Sequence, residues 1–485
     1  MRTPKGGKKL DRKQLGQAMM ALLGPDKVLT EELDLLYYSY DSSFHARNHR
    51  FVPDIVVTPQ STEEVSQIMQ YAYTHGIPVT PRGAGSGETC GSVAVQGGIV
   101  MDLSKWQTIE EIDTANMQVL VRPGVIHANL NKELAKYGLF FPPDPGSTRM
   151  CTIGGMIANN SSGLRAVKYG TTEQYILGLE VVLPDGRVIT TGGIKSRAIK
   201  NVSGLNLTKL FVGSEGTLGV ITKARIRVWP KPKARGILMA VFPKLEDAPA
   251  AVLDVYQGGI LPSGIEILDE SAIQAVNMYK PEINLPNAQA ILIFEVDGNP
   301  ASVEYEGNRI AEIVKPRTSQ VEWSTEPKRM AQLWEGRGVV ATAAARVRED
   351  GSRVFAGEDI SVPLAKVADT LRAIRSLGDK YGVRVVNYGH IGDGNVHTAP
   401  VIDPELPEEV ERANQLADAI HRLAIEMNGS TTGEHGVGYV RARYAPLEHG
   451  PAVDVMAAIK QTLDPKGIMN PLKVFLPEEG INSVS

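Results

Sequence analysis

Residues 140–170 read FFPPDPGSTRMCTIGGMIANNSSGLRAVKYG. Pro142, Pro143 and Pro145 fix φ and lack an N–H, so the entry is neither helix nor central strand. Gly154-Gly155 and the run Asn159-Asn160-Ser161-Ser162-Gly163 then give a backbone with almost no side-chain cover. Such a backbone can approach a flat or phosphorylated ligand closely and present its N–H groups to it. Taken alone, the same residues describe a polar surface loop equally well. Two further stretches of the same kind shift the balance.

The first lies upstream, in DIVVTPQSTEEVSQIMQYAYTHGIPVTPRGAGSG (54–87). Ile55–Val57 reads as a short strand, Ser61-Thr62-Glu63-Glu64 as a helix start, and Gly76 as its stop. Ile77–Thr80 re-enters a strand, which makes a β–α–β unit with a ligand loop at the end of its second strand. That loop, Pro81–Gly87, alternates glycines so that successive N–H groups form a nest suited to a pyrophosphate, with Arg82 as an added cation. It is not the dinucleotide fingerprint, because Glu88 stands where the third glycine belongs, and no Gly-Lys-Ser/Thr makes it a Walker loop. The second stretch, Gly213–Gly219, runs straight into the alternating strand Val220–Val228. Pro184-Asp185-Gly186 marks a turn between two more strands, and Pro230-Lys231-Pro232 punctuates a domain end.

Length and composition bound the rest. The chain has 485 residues, long enough for about three domain-sized units. With 42% hydrophobic residues, 22% charged and a net charge of −4, neither sign dominates, and nucleic acid is excluded as an expected partner. Cys90 and Cys151 are too few for a disulfide framework, a four-cysteine zinc site or an iron–sulfur cluster. The basic N-terminus leads into no apolar signal region, so a cytoplasmic protein is expected, peripheral at a membrane only through a partner. A small packing helix, LDRKQLGQAMMALLG, ends at Gly24-Pro25. From Ala234 strand and helix alternate as a β-α-β-β-α-β layer, a ferredoxin-like arrangement.

The sharpest chemistry lies in VNYGHIGDGNVHTA (386–399). If Asp393-Gly394 forms a two-residue turn, His390 falls directly opposite His397 with Cβ atoms about 4.5–5.5 Å apart, a bite suited to one divalent metal. TTGEHGVGYVRARY offers a third ligand. In an extended segment Glu434 turns towards the metal while His435 turns the other way, towards a substrate. A polar surface loop is the plain alternative for these residues.

The PRGAGSG loop, PPDP followed by CTIGGMIANNSSG, and VGSEGTLGVIT, in that order, resemble the FAD-binding module of the vanillyl-alcohol-oxidase/PCMH-type flavoproteins. GHIGDGNVH, then GEHG, then DPKGIMNP resemble the C-terminal domain of FAD-linked oxidases, the group of D-lactate dehydrogenases and the glycolate oxidase FAD subunit. The two resemblances cover nearly the whole chain. They imply an α+β fold, in which a PCMH-type FAD-binding domain of two α/β subdomains (51–232) follows an N-terminal helical segment (1–50). A ferredoxin-like substrate domain with C-terminal helices (233–475) and a tail (476–485) complete it. They further imply FAD contacts at Arg82, Gly83, Ala84, Gly85, Ser86, Ser147, Cys151, Thr152, Gly155, Asn159, Gly163, Tyr169, Gly219 and Asn470. No histidine stands in the first loop, so the FAD is expected to be non-covalent, with Cys151 a small packing residue. The same resemblance makes His390, His397 and Glu434 ligands of a zinc-like ion (Zn, Mn or Fe), His435 the active-site base and Arg337 the grip on a substrate carboxylate.

These parts make a coherent reaction. Arg337 orients the carboxylate of a 2-hydroxy acid, the divalent ion lowers the pKa of the adjacent hydroxyl, and His435 takes its proton. Hydride passes from C2 to flavin N5. Relatives acting on D-2-hydroxyglutarate carry extra donors where this chain has Gly357, Ala399 and Ala341, although Thr342 is adjacent. D-lactate or glycolate is therefore expected, and D-2-hydroxyglutarate is the runner-up. Electrons are expected to leave to an electron-transfer flavoprotein, an iron–sulfur subunit or a quinone, and a homodimer is compatible with this scheme. A non-catalytic FAD subunit, a metal hydrolase, and another reaction on the same flavin fold are the alternatives.

Overall fold

The computed structural model describes residues 11–354 and 359–474. By contacts the described residues form two units: 11–162, 171–231 and 434–474, and 163–170 with 232–354 and 359–433.

The first unit holds two sheets. The helix Thr62–His75 begins where the Ser61 side chain accepts the Glu64 N–H (3.1 Å) and ends at Gly76 in the left-handed conformation (φ 66°). It links strands Ile55–Val57 and Val79–Arg82, which do not pair directly. Both lie parallel to Ile99–Asp102, and Val28–Leu29 completes the four-stranded sheet antiparallel to Ile55–Val57. The helix face bearing Val65, Ile68, Met69 and Ala72 is fully buried in this core, beside Met19 of the helix Arg12–Leu23. The second sheet is antiparallel, in the order 109–113, 118–121, 220–227, 176–182, 188–190. The Pro184-Asp185-Gly186 turn closes its last hairpin with Gly186 at φ 87°.

The resemblance extends the second domain to residue 475. In the structure the chain from Glu434 packs with the first unit. Ile468 and Met469 enter the core beside Val79, and the Asn470 N–H donates to the Val79 carbonyl at 2.8 Å. Lys460, buried in the helix Ala452–Leu463, donates to the carbonyls of Thr217 (2.7 Å) and Met469 (2.8 Å) and pairs with Asp464.

The second unit realises the β-α-β-β-α-β layer with one helix added, Glu270–Tyr279, between its second and third strands. Strands 234–242, 264–269, 290–298 and 320–324, with helices between them, assemble in the spatial order fourth, first, third, second, every neighbour antiparallel. This is the ferredoxin-like order. Strand 264–269 then continues the sheet into the hairpin 384–389/395–402. The short segment 163–170 also packs here. Tyr169 is buried and its hydroxyl donates to the Asp297 carboxylate (2.8 and 3.0 Å).

Candidate active site

In the first unit the three small-residue stretches converge. The loop after Val79–Arg82 meets the start of the helix Ile153–Asn159: a Cβ on Gly83 would lie 2.3 Å from Thr152 Oγ1. Only a side-chain-free residue fits there. Thr152 is itself the helix cap, accepting the Gly155 N–H at 3.2 Å. The stretch read as bare backbone is thus a short helix from Ile153, because Thr152 caps it and Ile153, Met156 and Ile157 form a buried face. Arg82 is buried beneath the loop rather than over it. Its guanidinium lies 5.4 Å from the Tyr38 ring centre and donates to the Ser92 carbonyl (3.3 Å). Burial lowers its pKa, and the carboxylates of Asp41 and Asp102 oppose the shift. Gly219 is fixed by packing, since a Cβ would meet Val181 Cγ1 at 2.7 Å.

The third of these loops supplies a buried carboxylate. Glu215 accepts the N–H groups of Val437 (2.8 Å) and Gly438 (2.7 Å), its pKa raised by burial against the pull of those two donors. The Asn470 side-chain NH₂ donates to the carbonyls of Glu215 (2.7 Å) and Gly91 (2.9 Å), while its buried Oδ1 has no partner among the described residues. An unmet acceptor beside a glycine-built cradle fits a ring N–H of a flavin. Cys151 is buried among apolar side chains, which pushes its thiol up to about 11. The Asn159 side-chain amide holds the Glu434 carbonyl at 3.1 Å, and His435 Nδ1 lies 3.3 Å from Glu88 Oε2. Of the sequence-read FAD contacts, Gly163 and Tyr169 fall in the segment that packs with the second unit.

In the second unit His390 and His397 stand edge to face, ring centres 5.1 Å apart. The hairpin register differs from expectation. His397 pairs with Tyr388, not His390, because the connection is a 3-10 turn, Ile391–Asp393, closed by Gly394 at φ 80°. His390 sits at the start of that turn, beyond the ladder, and still reaches His397. Glu266, fully buried on the adjacent strand 264–269, joins the site. One carboxylate oxygen lies 2.5 Å from His390 Nδ1, and the other accepts from Arg337 Nε. Burial alone would raise its pKa, but Arg337 and then His390 outweigh burial and hold it below the ordinary range. Arg337, on the helix Pro327–Ala344, also lies 5.1 Å from the Tyr388 ring centre.

Glu434 follows Gly433, whose N–H donates to Asp359 at 3.0 Å. Asp359 pairs with His397 across strands and also holds Thr432 (2.7 Å) and Asn395 (2.7 Å). Of the specificity positions, Ala399 is buried in the apolar cluster and Ala341 packs against it. Gly357 lies outside the described residues.

Residues 53–192 match a family model described as the FAD binding domain, and residues 231–474 match that of the FAD linked oxidases, C-terminal domain. The chain belongs to the FAD-linked oxidases. This FAD-linked oxidase is 36% identical to the glycolate oxidase subunit GlcD of Bacillus subtilis, over 96% of this chain and 97% of that protein. It is 35% identical to the mitochondrial D-lactate dehydrogenase [cytochrome] of Arabidopsis thaliana, over 93% and 78% respectively. The solved p-cresol methylhydroxylase shares its fold, with a TM-score of 0.79 at 19% identity over 98% of this chain and 99% of that one. The family makes the chain a flavoprotein oxidoreductase with FAD as cofactor. Glu266 and Glu88 carried no motif of their own in the sequence; buried charge on a strand and an acid at the end of a glycine loop were their only signals.

Proposed function

We propose that this FAD-linked oxidase converts a small D-2-hydroxy acid, D-lactate or glycolate, to the 2-oxo acid. The supporting observation is that Glu266 tethers both Arg337 and His390. A cation for a carboxylate and an imidazole facing a metal are thereby held one carboxylate apart, which suits the adjacent carboxyl and C2 hydroxyl of such a substrate.

Arg337 keeps its terminal nitrogens for the substrate carboxylate, since Glu266 takes Nε. His390 and His397 hold a zinc-, manganese- or iron-like ion, with Glu434 as third ligand; the edge-to-face pairing of the two imidazoles supports this. When bound, the ion supplies a Lewis acid for the substrate hydroxyl, and FAD supplies the acceptor for the C2 hydride. His435 takes the hydroxyl proton at Nε2, its Nδ1 side facing Glu88. Ala399 and Ala341 offer no donor for a second carboxylate, which favours a monocarboxylate over D-2-hydroxyglutarate. The names of the relatives, a glycolate oxidase subunit and a D-lactate dehydrogenase, support the same class. Electrons then pass to a partner protein or a quinone.

Steady-state assays with D-lactate, L-lactate, glycolate and D-2-hydroxyglutarate test this, using an artificial dye as acceptor. Turnover of D-lactate or glycolate, lost on chelation, is expected. Turnover confined to D-2-hydroxyglutarate would overturn the specificity.

A further inference from the structure

The first unit carries an apolar stripe that the cofactor site does not use. In the short helix Glu32–Tyr37, Leu33 and Tyr37 stand one turn apart on one face, and Tyr40 continues the line. They are 82%, 62% and 46% exposed. Leu35 and Tyr38 turn inward and are buried. Tyr37 packs edge-on against both Tyr38 (5.2 Å) and Tyr40 (6.4 Å), so the exposed rings are braced. Braced, exposed tyrosines are the residue type enriched in protein-binding surfaces. Glu31, Glu32 and Asp34 flank Leu33, all exposed and without an ion pair among the described residues.

The same segment backs the first cofactor loop. The Tyr38 hydroxyl donates to Asp102 at 2.7 Å, Arg82 lies over the Tyr38 ring, and the Ser42 N–H donates to the Gly87 carbonyl at 3.0 Å. A protein seated on Tyr37 and Tyr40 would rest on the chain that carries that loop.

We propose that the Leu33–Tyr37–Tyr40 face docks an electron-accepting protein whose own contact surface is basic. This rests on the flavoprotein reading above. The three carboxylates steer a cationic partner and repel an anionic lipid surface. They also repel a second copy presenting the same patch across a two-fold axis. Each hydride taken from substrate carries two electrons, which reduce two one-electron acceptors and leave a proton to solvent.

Cytochrome c, a lysine-rich one-electron acceptor, is the probe, with dichlorophenolindophenol as a small acceptor that needs no docking. The holoenzyme is reduced anaerobically with one equivalent of dithionite, which bypasses the hydroxy acid, and its reoxidation is followed by stopped flow. Tyr37→Ala and the triple variant Glu31→Lys, Glu32→Lys, Asp34→Lys should each slow transfer to cytochrome c about tenfold and leave the dye rate unchanged. Wild-type transfer to cytochrome c should fall with rising salt, and charge reversal should abolish that dependence. Unchanged cytochrome c rates in both variants, or no transfer from the wild type at low salt, would overturn the proposal. So would a dimer that dissociates on Tyr37→Ala, or quinone reduction stimulated by anionic vesicles and lost in Tyr37→Ala. A protein that passes this test yet is reduced by no hydroxy acid would contradict only the substrate reading.

Discussion

Glu266 Oε1 lies 2.5 Å from Nδ1 of His390. An ionised carboxylate can only accept, so the proton sits on Nδ1 and the Nε2 lone pair is left for a metal. Glu266→Gln should therefore weaken metal binding about 10–100-fold, the usual cost of removing such a support. Zinc or manganese titration by calorimetry checks this. Unchanged affinity would separate Glu266 from the metal.

The same carboxylate gives a pH signature. Its pKa lies below the ordinary 4.5, because Arg337 and His390 outweigh the upward push of burial. A folded value below the unfolded one stabilises the protein above pH 4.5, and that stabilisation fades as pH falls through the folded value. In metal-free protein the difference in Tm between wild type and Glu266→Gln should shrink as the pH drops below that point.

Arg337→Lys should lower kcat/KM for the hydroxy acid about 10–100-fold. A charge-assisted hydrogen bond contributes about 1.5–3 kcal/mol, and each 1.4 kcal/mol is tenfold. Lysine keeps the charge but cannot bond Glu266 and the substrate in one planar fork. Steady-state kinetics at saturating metal would show the loss in KM at least as much as in kcat.

Much of this was legible in the sequence. Ser61, Gly76 and the 54–87 periodicity gave the first β–α–β unit because caps and turn residues act locally. The ferredoxin-like order followed from the alternation of strand and helix. The register of the 384–402 hairpin was not legible, since Asp393-Gly394 favours a two-residue turn while the structure uses a longer 3-10 connection from His390. Nor was the Glu266 bridge, which joins residues distant in sequence, or the return of Ile468 and Met469 to the first core. Such contacts arise from tertiary packing that no local pattern encodes.

Both thiols should be inert in the native protein. Burial pushes Cys151 up to about 11 and Cys90 up to about 12. Both therefore stay protonated near neutral pH, where only a thiolate reacts. Iodoacetamide should label neither until urea is added, and acid precipitation should release all the flavin into the supernatant. Flavin retained on the pellet would contradict non-covalent binding.

Anaerobic bleaching of the bound flavin by each hydroxy acid tests the central claim most directly, with wild type and His435→Ala compared with and without a chelator. D-lactate or glycolate should bleach the wild type rapidly, and the variant or chelated enzyme about 10²–10⁴-fold more slowly, the range for loss of a general base. No bleaching by any of the acids in protein replete with FAD and metal would contradict the account.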